Sequence, residues 1–263
     1  MLNAVQHKGA GMKTAGVIKT ALPKHLEGTN GKAVLLIHGY NGYPGELYEL
    51  AGRINEAGYT VALPRLPGHG TDSRDFLSTN WRDWLNHVTD EYLNLQTRYE
   101  SVSIAGLSMG GVLAMLLPAK FEPEKIVLLA PALAVSNRVF YLTPLLRLFI
   151  RRLASNWEPS ETDNEDRLYM GREYWRFNFP ATLASVYRLI RMARRNLSKI
   201  ECPVMVILSE TDSTVPLNVG DIIERGVGGD VETIILAESP HVLVEGLEKE
   251  IVFEKTISWL DSG

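Results

Sequence analysis

The sequence predicts an α/β fold, a mostly parallel central sheet with helices on both faces and an inserted helical cap. Three observations lead there: short apolar runs of strand length, helical-period segments between them, and one long break in the alternation. The runs cover residues 33–37, 60–62, 101–105, 126–130, 204–208 and 231–236, and they are rich in Val, Ile and Leu. Continuous apolarity, rather than alternation, is what a strand buried on both faces requires.

In chain order, the first run is followed by residues 46–57, where Leu47, Leu50, Ile54 and Ala57 keep the three-to-four spacing of one helical face. After the second run, residues 81–98 place Trp84, Val88, Tyr92 and Leu95 on one stripe. After the third, residues 112–121 read as a helix. The break then extends over residues 132–199. It contains no strand-like run but has amphipathic stretches at 145–153 and 183–197. A structureless loop of that length would be improbable in a compact domain, so an inserted helical cap is predicted. Two further strands follow, and a helix carrying Phe253, Ile257 and Leu260 closes the chain.

Composition narrows the function classes. The 263 residues are 45% hydrophobic and 22% charged, which is globular and excludes disordered or fibrous classes. With 27 basic and 31 acidic residues the net charge is −4, against a polybasic nucleic-acid binder. The single cysteine, Cys202, excludes an internal disulfide and a cysteine-rich zinc site, and beside Pro203 it reads as a small core residue. Residues 1–20 hold no apolar run of signal-peptide length, and no stretch approaches the roughly 20 apolar residues of a membrane span. A cytoplasmic protein without stable membrane insertion is the expectation.

The chemistry concentrates in Gly106-Leu107-Ser108-Met109-Gly110-Gly111. A predicted strand precedes this segment and a helical pattern follows it, the context of a G-x-S-x-G nucleophile elbow. A serine hydroxyl needs a base to take its proton. Of six histidines, His241 is placed best, in a loop after the last predicted strand, where it emerges at the same carboxyl edge of the sheet as Ser108. His7, His25 and His87 read as solvated or packed imidazoles. The carboxylate that would orient the base is Asp212, beyond the 204–208 run, with Glu210 as the competitor. Asp212 is preferred because the acid must reach several residues past the strand end to meet the histidine. The chain order is then Ser108, Asp212, His241. Two backbone N–H donors are needed for an oxyanion. Met109, directly after the nucleophile, is one candidate, and Tyr40 in His38-Gly39-Tyr40-Asn41-Gly42 is the other. His38 is read as a positioning residue.

These segments together, with Pro67-Gly68-His69-Gly70, resemble the α/β-hydrolase superfamily. Within it, the chain is similar to the bacterial carboxylesterase and monoacylglycerol lipase group. The resemblance spans about residues 33–260, with the cap matching least. It departs from the group's pattern in Thr71-Asp72 after the Gly-His-Gly turn and in Pro240 before the histidine. It implies ester hydrolysis through an acyl-enzyme without metal or organic cofactor, with Tyr40 and Met109 as oxyanion donors. A carbon–carbon bond hydrolase, amidase or acyltransferase would share the same triad, and a non-catalytic ligand-binding module is the other class.

The expected partner is a small-molecule ester, lipid-derived in the lipase reading; oligomeric state stays open. Cap residues Phe140, Tyr141, Leu142, Leu145, Leu146, Leu148, Phe149 and Ile150 are expected mostly to pack on the sheet, with Leu145 and Phe149 proposed to line an acyl pocket. Arg147, Arg151, Arg152, Arg188, Arg191, Arg194 and Arg195 read as a solvated basic face paired with acids such as Glu161, Asp163, Glu165 and Asp166. An anionic surface or acidic ligand is the alternative. Ser108 precedes the insertion whereas Asp212 and His241 follow it, so one site needs both flanks. A single domain over residues 1–263, with the cap inserted at about 132–199, is therefore expected.

Overall fold

The computed structural model describes residues 16–161 and 163–262, so His7 lies outside the described residues. Strands β1 (Lys24–Leu26), β2 (Lys32–Ile37), β3 (Thr60–Leu63), β4 (Ser101–Leu107), β5 (Ile126–Leu129), β8 (Val204–Ser209) and β9 (Val231–Leu236) form a seven-stranded sheet. Between β5 and β8 lies a two-stranded pair, β6 (Leu153–Ala154) and β7 (Phe177–Asn178). The helices are α1 (Tyr48–Glu56), α2 (Ser73–Ser78), α3 (Trp81–Gln96), α4 (Met109–Ala114), α5 (Thr143–Leu146), α6 (Glu165–Met170), α7 (Pro180–Asn196), α8 (Val219–Gly226) and α9 (Lys249–Asp261).

The sheet order is β1-β3-β2-β4-β5-β8-β9, and every pairing is parallel except β1 with β3. The period of two in the strands divides the core between the two faces. Ala33, Leu35 and Ile37 face α3, α4, α7 and α8, whereas Val34 and Leu36 face α1 and α9. Enclosing each such leucine or isoleucine is worth about 1.5–3 kcal/mol. Trp84, Val88, Tyr92 and Leu95, the predicted stripe of α3, are all buried. That helix starts at Trp81 because Asn80 and Asp83 form a reciprocal capping box.

Four local expectations change. The predicted 46–57 helix begins as a 3-10 turn at Pro44–Leu47 and becomes α-helical only at Tyr48. The helix expected at 112–121 starts directly after Ser108 and stops at Ala114, ahead of Pro118, whose missing N–H cannot continue the ladder. β9 is not buried on both faces. It is the sheet's edge, and Ile235 is exposed.

The fourth change concerns the cap. The stretch expected to be helical at 145–153 leaves the helix after Leu146 and turns, and Leu153 enters the β6–β7 pair. The apolar stripe is thereby broken. Leu142, Leu145, Leu148 and Phe149 point to solvent instead of packing on the sheet, whereas Phe140 is buried. Helix α7 of this segment packs against α3 and α4, with Val186, Leu189, Ile190 and Ala193 buried in the same cluster.

Candidate active site

Ser108 sits at the sharp turn between β4 and α4 with φ 55° and ψ −115°, a left-handed backbone that a side chain rarely adopts. The glycines on either side make the turn possible. A Cβ on Gly106 would lie 2.4 Å from the carbonyl of Gly110, and one on Gly110 would lie 2.1 Å from the Ile37 oxygen. The turn is tied down by Ser108 N–H donating to the Leu129 carbonyl at 2.8 Å, and Ala132 N–H donating to the Ser108 carbonyl at 3.1 Å.

Strands β8 and β9 end in the loops that carry Asp212 and His241. His241 Nε2 is 2.9 Å from Ser108 Oγ, and His241 Nδ1 is 2.8 Å from Asp212 Oδ2. Asp212 can only accept, so Nδ1 carries the proton and Nε2 presents a lone pair to the serine hydroxyl. The other oxygen of Asp212 accepts from the N–H groups of Thr214 at 2.7 Å and Val215 at 3.0 Å. Burial of this carboxylate works to raise its pKa. The hydrogen bond and charge of His241 and the two amides outweigh burial and hold it below the usual range. Glu210, the competitor, is exposed and does not reach His241.

The loop after β2 lies against Ser108. A Cβ on Gly39 would stand 3.3 Å from the serine Cβ, which brings the Tyr40 backbone alongside. Met109 opens α4 and is fully buried. Among the described residues, neither the Tyr40 nor the Met109 N–H is used by another protein group. His38 accepts from Leu66 N–H through Nε2 at 3.1 Å, so its Nδ1 proton donates to the Gly39 carbonyl at 3.0 Å. Burial, reinforced by His69, keeps it well below the normal imidazole range, so it is a neutral brace for the loop. His69 of the Gly-His-Gly turn is also buried, with its pKa pushed down to about 4 by that burial. The two departures in that turn are structural: Thr71 Oγ1 lies 2.8 Å from both the Gly68 carbonyl and Asp75 Oδ2, to one of which its proton is donated, and Asp72 caps α2.

Three supporting contacts were not foreseen. Glu248, just before α9, accepts from the N–H groups of Ala237 and Glu238 and from Ser239 Oγ, which fixes the His241 loop. An acid at a helix start was the available signal, but it reads as an ordinary cap. Thr211 Oγ1 donates to the Ser239 carbonyl and joins the Asp212 and His241 loops. The Tyr40 hydroxyl lies 2.7 Å from Thr182 Oγ1 in the first turn of α7, so α7 is tied to the loop beside Ser108.

A partly apolar cavity of about 350 Å³ opens beside the Asp212 loop, walled by Val135, Val139, Phe140, Leu153, Leu183 and Thr214 among others. Leu145 and Phe149, the residues expected to line an acyl pocket, are not at this cavity and stand 59% and 79% exposed. No described group of histidine, cysteine and carboxylates could hold a metal ion, and no described helix is long and apolar enough to cross a membrane.

In the 3-10 turn at Pro44–Leu47, burial first and then the charge of Glu245 push the Glu46 carboxyl up to about 8, against the pull of Arg167. The folded chain therefore keeps a proton on Glu46 that the unfolded chain has released, and stability falls as pH rises between about 4.5 and about 8. Glu46→Gln is expected to remove that fall. By scanning calorimetry the variant's Tm should gain on the wild type by several degrees between about pH 5 and about pH 8.5. A Tm difference independent of pH would contradict the assignment.

Comparison with known proteins gives a consistent outcome. A family model described as "Alpha/beta hydrolase family" matches residues 34–249. The chain is 31% identical over 249 residues to a thermostable monoacylglycerol lipase of Bacillus sp. strain H-257, covering 92% of this chain and 95% of that one. It is 29% identical over 248 residues to a carboxylesterase of Bacillus subtilis strain 168, covering 93% and 98%. A solved structure described among two metagenome-derived lipolytic enzymes, LipS and LipT, superposes with a TM-score of 0.83 at 26% identity, covering 93% of this chain and 99% of that chain.

Proposed function

The chain belongs to the alpha/beta hydrolase family, and on that premise we propose that Ser108, His241 and Asp212 act together as its catalytic triad. It is a hydrolase of carboxylic esters of the serine type. The observation that carries the assignment is the unbroken relay from Ser108 Oγ through His241 to the buried Asp212, at 2.9 Å and 2.8 Å.

In this mechanism His241 Nε2 takes the hydroxyl proton as Ser108 Oγ attacks the ester carbonyl carbon. The carbonyl oxygen gains the negative charge and is held by the Tyr40 and Met109 N–H groups, which no other protein group uses among the described residues. The imidazolium, stabilised by Asp212, then gives its proton to the departing alkoxide and leaves an acyl-serine. Water, deprotonated by the same nitrogen, attacks the acyl carbon, and collapse returns the proton to Ser108 Oγ and releases the acid. One domain, with the segment at about 132–199 as a cap over this site, is the organisation that the reading adopts.

The partly apolar cavity beside Thr214 supports a hydrocarbon acyl chain as the substrate's larger half, in keeping with a monoacylglycerol or another medium-chain ester. The test is a panel of p-nitrophenyl esters by acyl length with monoacylglycerols, read beside labelling by a fluorophosphonate. The expected outcome is stoichiometric labelling at Ser108 and a kcat/KM that rises with acyl length before the cavity fills. Labelling without turnover on any ester would overturn the ester assignment, and absence of labelling would overturn the triad.

A further inference from the structure

A second cleft, of about 450 Å³, lies between the first turn of α3, α5 and the middle of α7. None of its lining residues belongs to the Ser108 site. Four arginines line it: Arg82 from α3, Arg147 just after α5, and Arg188 and Arg191 from α7. They are the surprise of the basic face. Of the acids expected to pair with it, Asp163 is engaged with Arg167 and Asp166 with Thr20. No carboxylate lines the cleft, and among the described residues none of the four has one within 4.0 Å. In a chain of net charge −4, four unpaired cations facing one concavity is a local inversion of sign.

Three of the four lie against aromatic rings. Arg82 and Arg188 lie 4.4 Å and 5.8 Å from the Trp81 ring, and Arg191 lies 5.9 Å from the Tyr187 ring. Ring contacts steady a guanidinium through its face and leave its N–H donors unused. Arg188 and Arg191, three residues apart on α7, share one helix face.

We propose that this cleft is a binding site for a phosphate-bearing anion, a phosphomonoester or a pyrophosphate group. A tetrahedral dianion offers enough oxygens for several guanidinium forks at once, and relieves the mutual repulsion of four like charges. The volume exceeds that of inorganic phosphate and leaves room for the organic part of an ester. Because Arg82 is on the core helix α3, Arg147 follows directly after α5 and Arg188 and Arg191 are on α7, a bound anion bridges core and cap. The site stands independently of the ester chemistry at Ser108.

The test uses the whole chain at constant physiological ionic strength, so that general charge attraction is held fixed. Inorganic pyrophosphate and glycerol 3-phosphate are titrated by calorimetry, and phosphatidylcholine vesicles with and without phosphatidic acid are used in sedimentation. The comparison is Arg82→Gln/Arg188→Gln/Arg191→Gln, with p-nitrophenyl butyrate hydrolysis as the control for an intact fold and ester site. Affinity for the soluble phosphates is expected to fall at least about a hundredfold in the triple variant, since each charged hydrogen bond lost costs about tenfold or more. Ester turnover should stay as in the wild type. Binding of soluble phosphates without sedimentation identifies a free phosphate ester as the source. Sedimentation that requires phosphatidic acid and is reversed by pyrophosphate identifies the lipid headgroup. If neither probe binds, or if binding survives the triple substitution while turnover is normal, the cleft is not an anion site.

Discussion

Ser108→Ala is expected to lower kcat for ester hydrolysis on the order of a millionfold, with the fold unchanged. The size of the effect follows from the relay: without Oγ no acyl-enzyme can form, and only binding and the oxyanion donors remain. A companion variant separates chemistry from strain. Ser108 stands at φ 55° and ψ −115°, where a residue with a Cβ costs about 1–3 kcal/mol and alanine is no better than serine. Ser108→Gly removes that cost, less the roughly 0.5–1 kcal/mol that glycine loses in chain entropy. The glycine variant should be as inactive as the alanine one and should melt higher, by scanning calorimetry, than either wild type or Ser108→Ala. A glycine variant that melts lower would mean that the elbow is not strained, and residual turnover above about a thousandth of wild type in either would remove Ser108 from the mechanism.

Asp212→Asn is expected to reduce kcat about 10⁴-fold while leaving the geometry in place. The asparagine oxygen can still accept from Thr214 and Val215, which directs its NH₂ group at His241 Nδ1. To accept that donor, Nδ1 must give up its proton, and the proton then resides on Nε2, facing Ser108 Oγ. A protonated Nε2 cannot act as base. The expected signature is therefore a loss in kcat with little change in KM, and much reduced labelling by a fluorophosphonate. Turnover within tenfold of wild type would show that Asp212 orients nothing that the reaction needs.

Much of this was readable in the residues. Ser108 was legible because Gly106 and Gly110 permit a turn that few other sequences allow, and the strand before it was plain from Val102, Ile104 and Ala105. His241 and Asp212 were legible because loops after parallel strands emerge at one edge of a sheet. What escaped was set by packing and not by pattern. β1 is three residues long, Lys24, His25 and Leu26, too short to show a period, and its antiparallel pairing with β3 is a tertiary contact. The exposure of Leu145 and Phe149 was hidden because their spacing suits a helix that the chain leaves after Leu146. Arg82 could not be joined to Arg188 from sequence, since they lie 106 positions apart and meet only where α7 crosses the start of α3. The raised pKa of Glu46 arises from enclosure and from Glu245, at the far end of the chain.

The 2.7 Å contact between the Tyr40 hydroxyl and Thr182 joins α7 to the loop beside Ser108. If the Tyr40 N–H serves as proposed, a molecule that displaced α7 far enough to move Tyr40 through this contact would alter the setting of that N–H. By linkage, a transition-state analogue bound at Ser108 must shift the affinity of α7 for that molecule by the same factor. The coupling has one sign for both directions, so a ligand that tightens the cap and one that occupies the oxyanion site would each report on the other without touching it.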